Sequence, residues 1–481
     1  MSWETVIGLE VHAQLATRSK MFCGCPTRFG AAPNSQTCPI CQGMPGVLPV
    51  INRRAVEFAV RTALAFGLRV NAACRFARKH YYYPDMPKNF QISQYEEPLA
   101  EDGGLEITAG GGTRRIGIQR LHLEEDVGKL VHEGAFATAQ ASLVDYNRAG
   151  LPLMETVSRP ELASPEEAAA YLKAFRAVLV ALEVCDGNME EGSLRCDANI
   201  SLRRPGATEL GTKVEIKNLN SFRNVQRALE YETSRQAEEL EAGRRIAQET
   251  RLFDADRGVT RSMRSKEYAH DYRYFPEPDL VPLTMDPSWV ESIRAALPEL
   301  PRARRQRFVS QYGLPAYDAE LLTQSRALAD YYEAAVRAHA NPKAISNWVM
   351  SELLRELGGD DDAALAKSPV GPTHLAGLVR LIDDGTISGK IAKDVFARML
   401  ASGEEAATIV RREGLTQVAD AGALEVLVDQ AIAANPKAVA DFKAGKTVAS
   451  KSLVGQVMKA SGGKANPAMV DRLVQEKLSR M

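Results

Sequence analysis

Alternating apolar and polar residues in the first two hundred positions are the feature that most constrains the fold of this chain. In residues 7–12 the aliphatic positions alternate with Glu10 and His12, and the same alternation recurs around Asp197. Because successive side chains of a strand point to opposite faces, each run predicts a strand with one apolar and one polar face. The sequence therefore predicts a sheet that buries one face in a core and presents ionisable side chains on the other.

Three groups of ionisable residues lie on or beside these runs. They are Glu10 with His12, the His-Leu-Glu-Glu-Asp segment at 122–126, and Glu190-Glu191 followed by Asp197. Carboxylates and an imidazole on strand faces are ligands for a hard cation, and Mg²⁺ with nucleotide phosphates is the usual occupant of such sites. The alternative is a solvated sheet face with ordinary surface charge. The three groups together favour a metal and phosphate site.

Four of the cysteines lie within nineteen residues, as Cys23, Cys25, Cys38 and Cys41. Two close pairs separated by a loop supply the ligands of a tetrahedral Zn²⁺ site, although the first pair, Cys-x-Cys, is tighter than the common Cys-x₂-Cys. Two redox-active pairs are the alternative. Four thiolates would leave no open coordination position, so the zinc predicted here is structural.

The segment 78–89 combines cations, tyrosines and prolines. Its two prolines favour an extended, turning loop. Lys79 and Lys88 are candidate phosphate contacts, and the tyrosines are candidates for stacking on a base. The alternative is an aromatic loop packed on the sheet. The sequence contains no P-loop, so a phosphate site would have to be built in another way. It also contains no Gly-x-Ser-x-Gly elbow, and it therefore predicts a phosphate and metal site without a nucleophile of its own.

The length of 481 residues allows several domains, and the net charge of −1 gives no overall tendency to bind nucleic acid. We predict an α+β fold with three domains: a cradle with a large antiparallel sheet at 1–295, an all-helical domain at 296–405, and a small helical tail domain at 406–481. Helices are predicted at 52–66, 164–183 and 221–242 from their capping residues. The sequence shows no secretory signal and no membrane-spanning run, so we expect a cytoplasmic protein.

The tail differs from the rest of the chain in charge. From Asn435 to the end there are nine Lys or Arg and three Asp or Glu residues, a local net charge of +6. Such a tail is either a solvated helical face or a surface for nucleic acid.

Glu4–His12 closely resembles the opening of the B subunits of the tRNA-dependent amidotransferases, the aspartyl/glutamyl-tRNA(Asn/Gln) amidotransferases. The resemblance continues through Tyr83–Asp85, Gln91–Gln94, Leu121–Asp126, Glu190–Ile200, Glu215–Phe222, Asp271–Asp279 and Gly455–Ser461. It thus spans nearly the whole chain through long motifs.

The resemblance implies that the side-chain carboxylate of Glu-tRNA(Gln) or Asp-tRNA(Asn) is phosphorylated with ATP and Mg²⁺ and then amidated by ammonia. It assigns the catalytic metal site to Glu10, His12, Glu125 and Asp197, with Glu124 and Glu190 as further candidate ligands. Candidate phosphate contacts are Lys79, Lys88, Ser193 and Arg195. The four cysteines resemble a zinc knuckle found in part of the family.

The resemblance also implies partners. An amidase-type A subunit would release ammonia from glutamine, a small C subunit would join the pair, and misacylated tRNA would contact the helical domain and the tail. Two alternatives stay open from the sequence. One is a non-catalytic, zinc-bearing tRNA-binding subunit, and the other is a stand-alone ligase that uses free ammonia.

Overall fold

The computed structural model describes residues 3–132, 142–265, 272–358, 362–416, 421–443, 448–461 and 465–481. The chain divides into two compact units, Met1–Leu300 and Pro301–Met481. The first unit contains a large sheet with helices and the second is helical, which confirms the predicted α+β class. Asp271, the first residue of one family motif, lies outside the described residues.

The strands of the first unit are β1 (Glu4–Gln14), β2 (Arg69–Val70), β3 (Ala73–Cys74), β4 (Ala77–His80), β5 (Phe90–Ser93), β6 (Ala100–Ala109), β7 (Gly112–Glu125), β8 (Lys129–His132), β9 (Ser142–Asp145), β10 (Pro152–Ser158), β11 (Leu194–Arg203), β12 (Val214–Leu219), β13 (Glu249–Asp254), β14 (Val259–Ser265), β15 (Phe275–Pro276) and β16 (Leu283–Thr284). Within the described residues, nine of them form one sheet in the order β14-β13-β12-β11-β1-β10-β7-β6-β2. Neighbouring described strands are antiparallel except β12 and β13, which are parallel. The predicted antiparallel sheet therefore contains one parallel pair.

Strand β1 lies in the middle of this sheet, between β10 and β11. Its residues Ile7, Leu9 and Val11 are buried in the core, whereas Glu10 and His12 are partly exposed on the other face. The alternation predicted from the sequence is thereby confirmed. A strand at the centre of a sheet has neighbours on both sides, so its polar face can bring side chains from several strands together.

Helices cover the apolar face of the sheet. They are α1 (Arg53–Ala65), α2 (Pro165–Ala181) and α3 (Phe222–Glu241), with α4 (Pro287–Ala295) near the end of the unit. The N-cap predicted at Ser164 is present, and Asn52 and Ser221, where the other two helices were predicted to start, also cap: all three side chains accept hydrogen bonds from backbone N–H groups of the first turn. The apolar sides of α1, α2 and α3 share one buried cluster with β1.

The second unit consists of α5 (Pro301–Tyr312), α6 (Ala316–Leu322), α7 (Arg326–Ala338), α8 (Pro342–Trp348), a π-helical turn (Val349–Leu353), α9 (Leu354–Leu357), α10 (Asp362–Lys367), α11 (Pro372–Asp383), α12 (Gly389–Ser402), α13 (Ala406–Glu413), α14 (Ala421–Ala434), α15 (Pro436–Lys443), α16 (Ala449–Ala460) and α17 (Pro467–Ser479). No helix among the described residues is both long and apolar enough to cross a bilayer.

The buried apolar residues of the second unit form two clusters, one from Phe308 to Val410 and the other from Leu424 to Leu478. Helix α13 contributes Ile409 and Val410 to the first cluster, although it begins at Ala406. The three-domain division with a boundary after residue 405 stays a prediction. Because α13 packs in the first cluster, a truncation that removes the tail and leaves this cluster intact has to begin after α13.

Candidate metal and phosphate site

The side chains of His12, Glu124 and Glu155 converge on the polar face of the large sheet. One ligand atom from each lies within 4.8 Å of the other two. His12 Nε2 is 3.4 Å from Glu155 Oε2 and 4.0 Å from Glu124 Oε1. The strand register explains this convergence, because His12 on β1 is paired with Glu155 on β10. We call these three residues the acidic cluster.

His122 lies next to the acidic cluster, lines the charged cavity described below, and is almost completely buried, at 2% exposure. It is paired with Glu155 in the β10–β7 register, and its Nε2 is 3.2 Å from Glu155 Oε2 and 3.8 Å from Glu124 Oε2. Ser93 Oγ also donates to Glu124 Oε2 at 3.1 Å. These contacts orient the two carboxylates of the cluster.

Electrostatics hold the cluster in a charged state. Burial alone would lower the pKa of His12, but the adjacent carboxylates of Glu155 and Glu124 outweigh it and raise that pKa to about 9. Burial would raise the pKa of Glu155, but His122 and His12 bring it well below its usual range. The two glutamates are therefore carboxylates at neutral pH, which is the form that a cation requires, and His12 would bind a cation only after releasing its proton.

A second group of charged residues lies on the same sheet face. Lys217 Nζ is 2.6 Å from Asp197 Oδ2 and 3.3 Å from Glu215 Oε1. Glu10, which is paired with Asp197 in the strand register, accepts a hydrogen bond of 2.9 Å from Asn199 Nδ2. Asp197 is therefore held by an ammonium group and Glu10 by an amide.

His12 and Glu155 of the acidic cluster line one cavity of about 350 Å³ together with the four charged residues of the second group and Lys79. We call it the charged cavity. Tyrosines form part of its wall: Lys79 Nζ lies 5.1 Å from the ring centroid of Tyr272, and the rings of Tyr95 and Tyr274 stack at 4.1 Å. The predicted phosphate contact Lys79 thus enters the same cavity as Glu10, His12 and Asp197.

Glu125 and Lys88 lie elsewhere. Glu125 follows Glu124 on β7 and therefore points to the other side of the strand. Its carboxylate forms an ion pair with Lys88 and accepts a hydrogen bond of 3.0 Å from Ile92 N. The two residues line a separate cavity, of about 160 Å³, beside Cys23 and Cys41. The structure does not place Glu125 in the acidic cluster or in the charged cavity.

Three further predicted residues also lie outside the charged cavity. Arg195 is paired with His12 in the strand register, but its guanidinium binds Asp126, with 2.9 Å between Arg195 Nη2 and Asp126 Oδ2. Ser193 Oγ accepts a hydrogen bond from Asn188 N at 3.0 Å. Glu190 is exposed in the turn before β11. Their assignment to metal or phosphate binding stays a prediction.

The structure adds residues that the sequence analysis did not select. Glu155 is one, and Lys217, Glu215 and Arg120 are further charged residues at the charged cavity. Glu155 is the single charged residue of β10, in Pro-Leu-Met-Glu-Thr-Val-Ser, and a carboxylate isolated in a buried strand was the available signal. His122 belonged to a recognised motif, but its position next to the cluster depends on the β10–β7 register.

The four cysteines converge as predicted. One sulfur from each lies within 4.8 Å of the other three, and the Sγ atoms of Cys38 and Cys41 are 3.9 Å apart. Four thiolates around one Zn²⁺, each with a Zn–S distance of about 2.3 Å, would be separated by roughly 3.8 Å. A hydrogen bond from Cys23 lowers the pKa of Cys41 to about 4 against the effect of burial, and the charge of Lys20 adds to it. The cluster therefore fits a structural zinc ion.

The acidic cluster also fits a divalent cation, since it offers two carboxylates and, once His12 has lost its proton, one imidazole within 4.8 Å of one another. The adjacent ammonium groups of Lys79 and Lys217 line the same cavity and can face anionic oxygens. The arrangement therefore combines a cation site with cationic side chains, which is the chemistry that phosphoryl transfer requires.

Comparison with known proteins gives matches along the chain. Residues 5–291 match the family described as the GatB/GatE catalytic domain, and residues 330–478 match the family described as the GatB domain. A protein of Carboxydothermus hydrogenoformans is 56% identical over 479 residues, which cover 100% of this chain and 99% of that protein.

Two other relatives are similarly close. A protein of Solidesulfovibrio magneticus is 56% identical over 476 residues, or 99% of each chain, and one of Geotalea daltonii is 54% identical over 478 residues, or 99% of this chain and 100% of its own. Each of the three relatives is named as the B subunit of an aspartyl/glutamyl-tRNA(Asn/Gln) amidotransferase.

Proposed function

Because this chain belongs to the family of B subunits of the aspartyl/glutamyl-tRNA(Asn/Gln) amidotransferases, which are ligase-type enzymes, we propose that it carries out the ATP-dependent step of the amidation. An oxygen of the side-chain carboxylate on misacylated tRNA attacks the γ-phosphorus of ATP, and ADP leaves. Ammonia then attacks the activated acyl carbon, and inorganic phosphate leaves. The substrate is Glu-tRNA(Gln), Asp-tRNA(Asn) or both.

The observation that supports this function is that His12 and Glu155 of the acidic cluster line one cavity together with Lys79 and Lys217. His12, Glu124 and Glu155 would hold Mg²⁺, with Glu10 and Asp197 on the same sheet face as additional ligands. The metal would neutralise charge between the attacking carboxylate and the phosphates, which otherwise repel each other. Lys79 and Lys217 would orient phosphate oxygens from the cavity wall.

We also propose that Glu125 is a catalytic residue. Its carboxylate and the ammonium of Lys88 lie in the smaller cavity beside the cysteines, so they would act from the other side of β7. Ser193 and Arg195 likewise remain proposed phosphate contacts, and Glu190 remains a proposed metal ligand. A rearrangement on binding of ATP or tRNA would be needed to bring these three into the charged cavity.

Zinc would stabilise the loop 23–41 and take no part in the reaction. An amidase-type A subunit would supply ammonia from glutamine, and a small C subunit would complete a heterotrimer. This division of labour agrees with the sequence, which offers no recognisable nucleophile for glutamine hydrolysis. The exposed lysines of the tail would contact tRNA.

The test is a reconstituted assay with ATP, Mg²⁺, glutamine and each of the two misacylated tRNAs. We expect tRNA-dependent ADP formation and formation of the amidated aminoacyl-tRNA when the partner subunits are present. Binding of tRNA without ADP formation would instead favour a non-catalytic tRNA-binding subunit. Full activity with glutamine and this chain alone would contradict the assigned partner.

A further inference from the structure

The proposed zinc site continues into a tight turn of the backbone. Residues 38–44, which we call the zinc turn, carry two of the four proposed zinc ligands. The backbone N–H of Cys38 donates to Cys41 Sγ at 3.2 Å. The N–H of Gly43 donates to the carbonyl of Ile40 at 3.0 Å. Because these hydrogen bonds close the turn around the sulfur of Cys41, the position of Gly43 depends on the position of that sulfur.

Gly43 lies directly against the side chain of Lys88. Its φ is +67°, and a Cβ atom at this position would be 3.2 Å from both Cα and Cβ of Lys88 and closer still to its Cγ. Gly46, later in the same loop, has a φ of +86°, but a Cβ atom there would meet nothing within 4 Å. Glycine is therefore required at position 43 both by its backbone conformation and by the close approach of Lys88, whereas Gly46 is required by conformation alone.

The approach of Gly43 restricts where the ammonium group of Lys88 can lie. Lys88 precedes β5, its Nζ forms the ion pair with Glu125, and its side chain is only 14% exposed. The same Nζ lies 5.8 Å from the ring centroid of Phe90. A lysine side chain has several rotatable bonds and loses conformational entropy when its end is fixed. A wall of backbone against its stem reduces that loss, and the zinc turn supplies the wall.

A second contact joins the zinc site to Glu125. Gly150 has a φ of +83°, and a Cβ atom there would lie 3.4 Å from Cys41 Cβ and 3.9 Å from Glu125 Oε2. Cys41 is thus connected to both members of the ion pair, to Lys88 through Gly43 and to Glu125 through Gly150. All five residues line the smaller cavity.

A buried lysine fixes Cys41 from the side of the core. Lys20 is fully buried, and its Nζ is 3.6 Å from Cys41 Sγ and 3.2 Å from the carbonyl oxygen of Tyr146. A buried ammonium group is costly without a partner of opposite charge, so this arrangement favours a thiolate at Cys41. The sulfur would then be held by Lys20 on one side and by zinc on the other.

Resting on the proposed catalytic role of Glu125, we infer that the zinc turn is a positioning element for the reaction: zinc holds Gly43 in place, and Gly43 holds the ammonium group of Lys88 against Glu125. Zinc itself stays away from the reacting atoms. The alternative is that zinc supports only the fold of the first unit. Loss of zinc would then lower the melting temperature without a selective effect on Lys88.

The first experiment measures how fast the N-hydroxysuccinimide ester of acetic acid modifies Lys88 in the full-length protein. Mass spectrometry follows the modification with zinc bound, after its removal by a chelator, and after its return. Lys217 is the internal control, because its ammonium group is also ion-paired, to Asp197, but lies in the charged cavity. We expect removal of zinc to accelerate modification of Lys88 at least about threefold, reversibly, and to change that of Lys217 by less than about twofold.

The second experiment compares Gly43→Ala with the matched control Gly46→Ala. Both variants place a side chain at a positive φ, but only the methyl group at position 43 would displace Lys88. We expect Gly43→Ala to keep its zinc and to accelerate modification of Lys88 at least about threefold. With the partner subunits present, it should lower the maximal rate of tRNA-dependent ADP formation at least about tenfold at an unchanged Mg²⁺ requirement. Gly46→Ala should change each quantity by less than about twofold.

The inference is overturned if removal of zinc leaves the modification of Lys88 within about twofold, or accelerates that of Lys217 equally. It is also overturned if Gly46→Ala has the same effects as Gly43→Ala. Where Gly43→Ala fails to fold, the zinc-removal measurement on the unsubstituted protein decides. Failure of the proposed function is distinct, because the unsubstituted protein would then form no ADP with tRNA, while the modification of Lys88 would still report on the zinc turn.

Discussion

His12 on β1 and Glu155 on β10 lie directly opposite each other in an antiparallel pair, and His12 Nε2 is 3.4 Å from Glu155 Oε2. The pairing joins a residue from the first motif of the chain to a carboxylate in a strand that no motif marked. Because Glu155 also contacts His122 across the next strand pair, it lies between two imidazoles. It is therefore the central carboxylate of the acidic cluster.

Replacement of Glu155 tests the metal site. Glu155→Gln keeps the size of the side chain but removes its charge, so we expect tRNA-dependent ADP formation to fall by at least about a hundredfold and the Mg²⁺ requirement to rise. The measurement is the initial rate over a Mg²⁺ series, with melting temperature and zinc content as checks on folding. Glu97→Gln, at an exposed carboxylate of the same unit, is the control. A Glu155→Gln protein of normal activity would contradict the proposed site.

The same Mg²⁺ series applied to Glu125→Gln tests the role implied by the family resemblance. If Glu125 contributes to the metal site, its replacement changes the Mg²⁺ requirement as Glu155→Gln does. If Glu125 acts from the smaller cavity with Lys88, we expect a lower maximal rate at an unchanged Mg²⁺ requirement. The second result would separate its role from that of the acidic cluster.

The sequence predicted which strands carry the site better than it predicted which residues belong to the site. Alternation placed Glu10 and His12 on the polar face of β1, because the faces of a strand follow directly from its period of two. It could not select Glu155, since the partner of His12 depends on which strand lies beside β1 and in what register. Strands adjacent in the sheet are distant in sequence here, as β10 next to β1 shows.

Glu124 and Glu125 show a second limit. Adjacent residues of a strand face opposite ways, so only one of them can join His12, and the motif Leu-His-Leu-Glu-Glu-Asp does not indicate which. The structure assigns Glu124 to the acidic cluster and Glu125 to the ion pair with Lys88. The cysteines were predictable because two close pairs separated by a short loop are the usual sequence pattern of a four-cysteine metal site.

The cysteine cluster is expected to hold one zinc ion per chain. Cys38→Ser removes one thiolate, so we expect loss of the zinc and a lower melting temperature, because a structural metal contributes to folding free energy. Metal analysis of protein purified without chelator is the measurement. Cys74→Ala is the matched control: Cys74 is buried outside the cluster, so this variant should melt earlier yet keep its zinc. Rapid reaction of all four cysteines with a thiol reagent in the native protein would contradict the zinc site.

Glutamine-dependent amidation is expected to require a second polypeptide. The chain alone should form ADP and amidated product with ammonium salts at high concentration, because the acceptor site needs only free ammonia. With glutamine alone it should give no product, and addition of an amidase-type partner should restore the reaction. Product from glutamine in a preparation shown to contain this chain alone would disprove the requirement.

The helical unit contains a carboxylate whose ionisation should affect stability. Burial would raise the pKa of Glu333, but hydrogen bonds from Arg307, Arg304 and Tyr312 outweigh it and lower that pKa to about 2. Since the folded pKa lies below the unfolded value of about 4.3, the carboxylate stabilises the fold above that pH, and this contribution is lost as the pH falls towards 2. Glu333→Gln should therefore cost on the order of 2–3 kcal/mol at pH 7, and the difference should shrink below pH 4.

Hydrogen exchange of the α7 amides over a pH series measures this effect within the second unit. Glu320→Gln is the control, because Glu320 is exposed and its nearest ion-pair distance, to Arg305, is 3.9 Å. We expect that variant to change stability by less than about 0.5 kcal/mol at any pH. A pH-independent cost of Glu333→Gln would mean that packing, and not the charge of Glu333, accounts for the loss.

The tail is expected to bind tRNA through its exposed cations. Lys437, Lys451 and Lys459 are exposed, and phosphate contacts supply affinity with a salt dependence of roughly 0.7–0.9 per contact. Removal of the residues after Thr416 leaves α13 in the first buried cluster of the second unit and deletes the second cluster whole. This truncation should weaken tRNA binding, flatten its salt dependence, and leave zinc content unchanged, because all four cysteines precede it.

Lys459→Gln should lower the slope of the salt dependence by about one contact. Lys477→Gln should change it less, since Lys477 Nζ is already 2.7 Å from Asp429. Identical salt dependences for the full-length and truncated proteins would instead mean that the tail lysines form only a solvated face and that the rest of the chain holds tRNA.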